Sequence, residues 1–206
     1  VALRGNVVVD SVVAQGCRPV GDPMFVTGCR DNLLTALDGR PPLDVLRDLY
    51  ERLPADDRDV FRHSLFLGIV MNDRRDSYGR GDFPVRNLVG VSEEPRGLVV
   101  GASLRENQVV QFHLRDRRTS AEDLDAMLRR YAAETKGRPP AGSLLFSCLG
   151  RGVHLYGEPD HDSGAFRRHV GEVPLGGYFC NGEIGPVQGR TYLHGYTSAF
   201  AMFRPR

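Results

Sequence analysis

Two short segments each combine a cysteine with one charged residue at the point where an apolar strand is predicted to end. Cys148 and Arg151 lie in LFSCLGRG, and Cys180 and Glu183 lie in GYFCNGEIG. A guanidinium group binds a carboxylate through two hydrogen bonds, and a carboxylate accepts hydrogen bonds from an ammonium group. The two charged residues therefore predict a binding site for an amino acid or a similar zwitterion. The alternative is that they pair with each other or cap turns in water.

The elements around these segments predict that the two charged residues lie at one edge of a sheet. Strands are predicted at Ser143–Leu149 and Gly177–Cys180, and a short helix at Ser163–Val170 connects them. Such a crossover makes the two strands parallel, so their carboxyl ends lie together. Open α/β sheets bind ligands at this edge, and the glycines beside Arg151 and Glu183 leave space for a ligand.

The two thiols have two interpretations. A free cysteine inside an apolar strand usually behaves as a small buried hydrophobic residue, so Cys148 and Cys180 are predicted to form the apolar floor of the site. The alternative is a cysteine nucleophile that is activated by His154 or His161. The four cysteines lack the close spacing of a zinc site and do not form a disulfide framework. We predict neither a cofactor nor a metal ion.

The composition is that of a globular protein without a charge bias. The chain has 206 residues, and its formal net charge of +1 gives no reason to expect nucleic acid or an anionic membrane as a partner. No apolar run approaches the roughly 20 residues that a membrane-spanning helix needs, and nothing at Val1 resembles a signal peptide. We therefore expect a soluble, cytoplasmic protein.

The remaining pattern predicts an α+β fold with mixed, largely antiparallel sheets. Short apolar or β-branched runs between Gly and Pro turns predict strands in the first third of the chain and a meander from 87 to 114. Leu65–Met71 is predicted to be a strand that is buried on both faces. The chain is predicted to end with a βαβ segment followed by a hairpin, including one long strand at Thr191–Phe203.

Two further segments carry specific predictions. Thr119–Lys136 is predicted to be an amphipathic helix that starts with a capping box of Thr119 and Glu122. Its apolar stripe, predicted to pack on a sheet, consists of Leu124, Met127, Leu128 and Tyr131. The polar, glycine-containing loop from 72 to 83 is predicted to be mobile, with Asp82, Phe83 and Pro84 docked on the body of the protein.

Four longer segments resemble, in order, the FIST family, which is named after F-box and intracellular signal transduction proteins. They are QGCRPVG, GRGDFPVRNLVGV, GSLLFSCLGRG and GYFCNGEIGPV, at 15–21, 79–91, 142–152 and 177–187. The resemblance implies that residues 1–30 are the end of a FIST N-terminal region. It also implies that residues 31–206 are a FIST C-terminal domain, and that both pack as one compact unit.

The resemblance further implies a sensory module for small ligands such as amino acids, of the sort found in bacterial signalling proteins and F-box proteins. It supplies no catalytic residues. We selected ligand-binding candidates from the matching segments because they combine charge or a thiol with glycines or strand ends. They are Arg151, Glu183, Asn181, Cys148, Cys180, Asp82, Arg86, Cys17 and Arg18.

Three functions follow from these observations. The leading hypothesis is a non-enzymatic sensory domain of an intracellular signal-transduction protein, which binds a small molecule and passes the signal to a protein partner. The second is a cysteine-dependent hydrolase or transferase. The third is a scaffold for protein interactions, as the F-box members of the family suggest. The sequence predicts no oligomeric state and no signalling output.

Overall fold

The computed structural model describes residues 4–72, 77–79, 81–136, 138–187 and 189–206. The chain divides into two compact units. The barrel unit comprises Cys17–Asp116, and the sheet unit comprises Val1–Gly16 together with Arg117–Arg206. Both units contain helices and mostly antiparallel strands, which confirms the predicted α+β class. The family boundary at residue 30 and the packing of both regions as one compact unit stay predictions.

The barrel unit is a closed barrel of six antiparallel strands with two helices. In chain order its elements are β2 (Arg18–Arg30), β3 (Leu33–Leu37), α1 (Pro42–Arg52), α2 (Ala55–His63), β4 (Leu65–Ile69), β5 (Val85–Glu93), β6 (Arg96–Val100) and β7 (Val109–Leu114). The strands pair in the order β2-β3-β6-β5-β4-β7. The 13-residue β2 pairs with β3 at one end and with β7 at the other. Closure pairs the strand edges, which an open sheet would leave exposed.

The first helix of the barrel unit is bounded by prolines in the sequence. α1 begins directly after Pro41, with Pro42 in its first turn, and it ends one residue before the pair Leu53–Pro54. Proline suits the first turn because its missing N–H group would have no helical partner there. Val45 and Leu49 are buried against the core that fills the barrel.

The sheet unit contains a four-stranded sheet, three helices and a separate hairpin. Its elements are β1 (Val8–Ala14), α3 (Arg117–Glu134), β8 (Gly142–Cys148), α4 (Val153–Tyr156), α5 (His161–Val170), β9 (Leu175–Cys180), β10 (Glu183–Val187), β11 (Arg190–His194) and β12 (Ser198–Arg204). The order in the sheet is β1-β12-β8-β9, and β10 pairs with β11 as an antiparallel hairpin. Only the pair β8 and β9 of this described sheet is parallel.

The core of the sheet unit lies between the sheet and two of its helices. Leu124, Leu128 and Tyr131 of α3 are buried in one cluster with Phe166 of α5 and Phe200 of β12, and Met127 packs against it while partly buried. The Phe166 and Phe200 rings stack with centroids 5.6 Å apart. This confirms the apolar stripe that the sequence predicts for α3.

Two details of the predicted elements are wrong. α3 begins at Arg117, so Thr119 lies inside the first turn and is not the N-cap of a capping box. The long final strand is divided into β11 and β12 by a turn in which Tyr196 has a φ angle of 65°. A residue with positive φ does not continue an extended strand, and the turn lets the chain pass from the hairpin to the sheet.

The predicted loop from 72 to 83 is described only in part, since residues 73–76 and 80 lie outside the described residues. Its predicted mobility therefore stays a prediction. The docking of its end is confirmed, because Phe83 is buried and its ring lies 5.1 Å from the His113 ring, centroid to centroid. Within the described ranges, no helix has the length and hydropathy to span a bilayer.

Candidate functional site

The predicted parallel crossover brings the two opening segments to one edge of the sheet. β8 and β9 are parallel neighbours, and Cys148 is directly opposite Cys180 in the register. Gly177 must be glycine here, because its φ angle is +149° and a Cβ atom would lie 1.9 Å from the Leu145 carbonyl oxygen. The chain leaves β8 through Arg151 and returns to the sheet through α4, α5 and β9.

Arg151 lies in a buried ion pair with Asp162 at the start of α5. Its Nε atom donates to one Asp162 carboxylate oxygen at 2.8 Å and its Nη2 atom donates to the other at 3.1 Å. The exposed fractions of the two side chains are 0% and 8%. Nη2 also donates to the Tyr156 hydroxyl, and Nη1 donates to the Tyr196 carbonyl at 3.4 Å. The guanidinium is therefore fixed on three sides.

Asp162 is the centre of this hydrogen-bond network. The Ser147 hydroxyl donates to it at 2.9 Å, the Ser198 hydroxyl also donates to it, and the His161 Nδ1 atom lies 3.3 Å from it. Burial disfavours the charged carboxylate, but the hydrogen bonds and the Arg151 charge outweigh burial and hold the pKa of Asp162 well below its usual range. Burial also opposes the charge of Arg151, but Asp162 raises the pKa of Arg151 above its usual value. The pair is ionised at neutral pH.

The imidazole of His161 is held in one orientation at this network. Its ring stacks on the Tyr156 ring with centroids 3.5 Å apart and an interplanar angle of 8°. Its Nδ1 atom lies at the Asp162 carboxylate, which can only accept a hydrogen bond when it is ionised. Nδ1 therefore carries a proton, and Nε2 is the ring nitrogen that Asp162 does not use.

A cavity of about 590 Å³ lies beside the network and is lined only by residues of the sheet unit. Apolar side chains form much of its wall, and polar residues from β8, from the loop after it and from the start of α5 complete the lining. The apolar residues are Leu145, Leu149, Val153, Leu175 and Phe179, and the polar residues include Ser147, Arg151, His161, Asp162 and Ser163. Its size and its mixed lining are typical of sites for small organic molecules.

Glu183 has partners of its own. It is buried, and its carboxylate accepts hydrogen bonds from the Thr197 hydroxyl at 2.9 Å and the Thr197 N–H at 3.3 Å. The Cys180 thiol also donates to this carboxylate at 3.4 Å. Burial raises the pKa of Cys180 to about 11, and the hydrogen bond and negative charge of Glu183 are a second, smaller cause of this increase. Glu183 thus joins β9, β10 and the residue before β12, and it is absent from the lining of the cavity.

The other sequence candidates are placed as follows. Arg18 pairs with Asp57 at 2.5 Å and with Asp116 at 3.6 Å, and the Asp82 carboxylate accepts the Gly79 N–H. Burial lowers the pKa of Arg86, which donates to the Val85 carbonyl. Cys17 and Cys148 are buried, and Asn181 is exposed. Of all nine candidates, only Arg151 lines the cavity described above, and the ligand-binding roles of the others stay predictions.

Sequence reasoning missed the residues that surround Arg151. The segment from 158 to 164, EPDHDSG, contributes no residue to the ligand-binding candidates, although Asp162 in it is the ion-pair partner of Arg151. The sequence does contain a signal for this ion pair. In a strand–helix–strand crossover, the helix starts near the edge of the sheet where the first strand ends. An arginine directly after that strand and an acidic residue at that helix start are therefore placed to meet.

Comparison with known proteins supports the resemblance. The FIST C domain matches residues 42–186, and the FIST N domain matches residues 1–40. The uncharacterized protein Mb0898c of Mycobacterium bovis is 42% identical over 192 residues, which are 93% of this chain and 50% of that protein. The uncharacterized protein Rv0628c of Mycobacterium tuberculosis is 41% identical over 193 residues, which are 94% and 50% of the two chains.

A plant protein is similar over a smaller part of its length. The F-box/LRR-repeat protein At5g63520 of Arabidopsis thaliana is 27% identical over 201 residues, covering 84% of this chain and 37% of that protein. The chain spans about half the length of the mycobacterial relatives it matches. FIST domains are sensory domains associated with signal transduction, and with a FIST C match over more than half of its residues, this chain belongs to the FIST family.

Proposed function

We propose that this chain is a non-enzymatic sensory domain that binds a small molecule, an amino acid or a similar carboxylate metabolite, in the cavity of the sheet unit. The observation that carries the proposal is the cavity itself, about 590 Å³ in volume, which extends along the parallel strands β8 and β9 to the edge of the sheet where β8 ends. Ligands of α/β proteins bind at this edge of the sheet.

The charges in the lining of the cavity favour a ligand that is itself balanced in charge. Arg151 and Asp162 neutralise each other, so this pair presents a strong dipole without net charge. A zwitterion can place opposite charges against such a dipole, whereas a simple anion would meet the Asp162 carboxylate as well as the guanidinium. The pair also fixes the cavity wall before binding, so less free energy is spent on ordering it.

The chemistry of the thiols favours binding over catalysis. A cysteine nucleophile must be a thiolate, and an active-site cysteine usually has a depressed pKa. The pKa of Cys180 is raised to about 11, by burial and then by Glu183, so this thiol is protonated at neutral pH. Cys148 is buried beneath the edge of the sheet. Both thiols therefore suit the packing role better than the role of a nucleophile.

Calorimetric titration with the twenty amino acids and a set of short carboxylates tests the proposal. Val153→Trp places a large ring at a half-exposed position of the cavity lining and is expected to abolish binding of any compound that binds the wild type. Val91→Trp is the matched control, because Val91 has almost the same exposure, 53% against 54%, and lies in the barrel unit. Absence of binding by every compound, or equal loss in both variants, would contradict the proposal.

The output of the proposed sensor is an interaction with a signalling protein. The full-length relatives are about twice as long as this chain, so the partner is either a further part of the same polypeptide or a separate protein. Ligand-dependent association is expected to be lost in Val153→Trp and kept in Val91→Trp. Association that is independent of ligand in all three proteins would instead favour the scaffold function.

A further inference from the structure

The orientation of His161 gives the cavity one defined hydrogen-bonding atom. The ring is restrained by its stack on Tyr156 and by the contact of Nδ1 with Asp162. With the proton on Nδ1, the Nε2 atom of the neutral ring is an acceptor. His161 lines the cavity, and the Asp162 carboxylate contacts its Nδ1 atom and not its Nε2 atom.

The other wall of the cavity makes a different demand on the ligand. Leu145, Leu149, Val153, Leu175 and Phe179 offer an apolar surface. Phe179 and Leu149 are more than half exposed without a ligand, at 56% and 57%. Burying such surface favours an apolar body, by about fourfold in affinity for each buried methylene group. The cavity is also several times larger than the smallest amino acids.

We propose that the ligand is an amine with a large apolar body, such as a hydrophobic amino acid, and that the His161 Nε2 atom accepts a hydrogen bond from its amino group. This inference rests on the proposed function, since it specifies the ligand of the same cavity. Arg151 is a positioning residue in this arrangement: it holds Asp162, and Asp162 holds the His161 ring. His161 is the residue that determines specificity for the amine.

The test compares three ligands of the same apolar body at pH 8. They are L-phenylalanine, phenethylamine without the carboxylate, and 3-phenylpropanoate without the amine. His161→Phe keeps a ring that can stack on Tyr156 but removes both nitrogens. It is expected to weaken binding of the two amines about ten- to a hundredfold, the worth of one hydrogen bond from a charged ammonium donor, and to leave 3-phenylpropanoate unchanged.

His154→Phe is the matched control. His154 also lines the cavity, but it is exposed on the short helix α4. It is expected to leave the preference for amines unchanged. Loss of that preference in His154→Phe, or its retention in His161→Phe, would overturn the inference.

Ligand size is tested on the wild-type protein. Glycine and L-glutamate are expected to bind at least tenfold more weakly than L-phenylalanine, because neither offers a large apolar body. If they bind equally well, the inference fails while the proposed function stands. If no amino acid or carboxylate binds, the proposed function itself fails. The two failures are thus distinguishable by the same titrations.

Discussion

Removal of either member of the Arg151–Asp162 pair is expected to destabilise the sheet unit strongly, and by unequal amounts. Arg151 lies in the loop between β8 and α4, where side chains are usually exposed, but it is fully buried. In Arg151→Ala, Asp162 keeps its contacts with Ser147, Ser198 and His161, and it can take up a proton. The expected cost is about 3 kcal/mol, the lower end for a broken buried pair.

Asp162→Ala is expected to be worse, at about 5 kcal/mol. Of the hydrogen bonds described for Arg151, those to the Tyr156 hydroxyl and the Tyr196 carbonyl would remain, and a guanidinium cannot lose its charge at any ordinary pH. The double variant removes both charges, so its cost is expected to be at least 2 kcal/mol less than the sum of the single costs. A conservative change, Arg151→Lys, keeps the charge but loses the two-pronged geometry and is expected to lie between Arg151→Ala and the wild type.

Urea denaturation followed by circular dichroism measures these free energies, since the chain has no tryptophan for fluorescence. Arg130→Ala is the control, because Arg130 pairs with Glu134 on the exposed surface of α3 and little change is expected. An unfolding free energy of Arg151→Ala within about 0.5 kcal/mol of the wild type would refute the reasoning, as would strict additivity in the double variant.

Three further predictions concern other buried groups. Leu128→Ala is expected to lower the unfolding free energy by about 2 to 5 kcal/mol in urea denaturation, because Leu128 is fully buried. Leu144 is partly exposed, so Leu144→Ala is the control, and a larger loss of unfolding free energy in Leu144→Ala than in Leu128→Ala would contradict this. Burial lowers the pKa of His113 to about 4, so the unfolded state binds more protons between pH 6.5 and 4. Stability is therefore expected to fall by roughly 3 kcal/mol as the pH drops through that window, and the fall is expected to be absent in His113→Leu. Iodoacetamide is expected to modify Cys180 more slowly at pH 7.5 than a free cysteine in an unfolded peptide, because the pKa of Cys180 is raised to about 11. Mass spectrometry measures both rates of modification, and equal rates would refute this prediction.

The elements that the sequence predicts well are those with local or chirality-based causes. α1 lies between two proline signals, and the apolar stripe of α3 follows from helical spacing. The parallel pairing of β8 with β9 follows from the handed crossover between them. Each of these causes can be evaluated within one segment or between two neighbouring segments.

The barrel and the partner of Arg151 could not be predicted in the same way. Closure of the barrel requires β2 to pair with β3 at one end and with β7 at the other. Both pairings contain register shifts, which the residue pattern does not predict. The choice of Asp162 over Glu183 for Arg151 depends on the path of the chain after β9. Glu183 enters the hairpin strand β10 and is held by Thr197, which turns its carboxylate toward a different set of donors.

The Arg151–Asp162 network has a consequence for how a ligand could act on the rest of the sheet unit. Asp162 receives hydrogen bonds from β8 through Ser147 and from β12 through Ser198, and Arg151 reaches α4 through Tyr156. Three elements, β8, β12 and α5, therefore meet at one buried carboxylate, and Arg151 connects α4 to it. A fully satisfied polar network of this kind favours one arrangement of the elements around it. A ligand that contacts His161 would bind next to the residue that joins them. Its binding free energy would then favour this arrangement over any in which the elements separate, which is the differential affinity that a sensor requires.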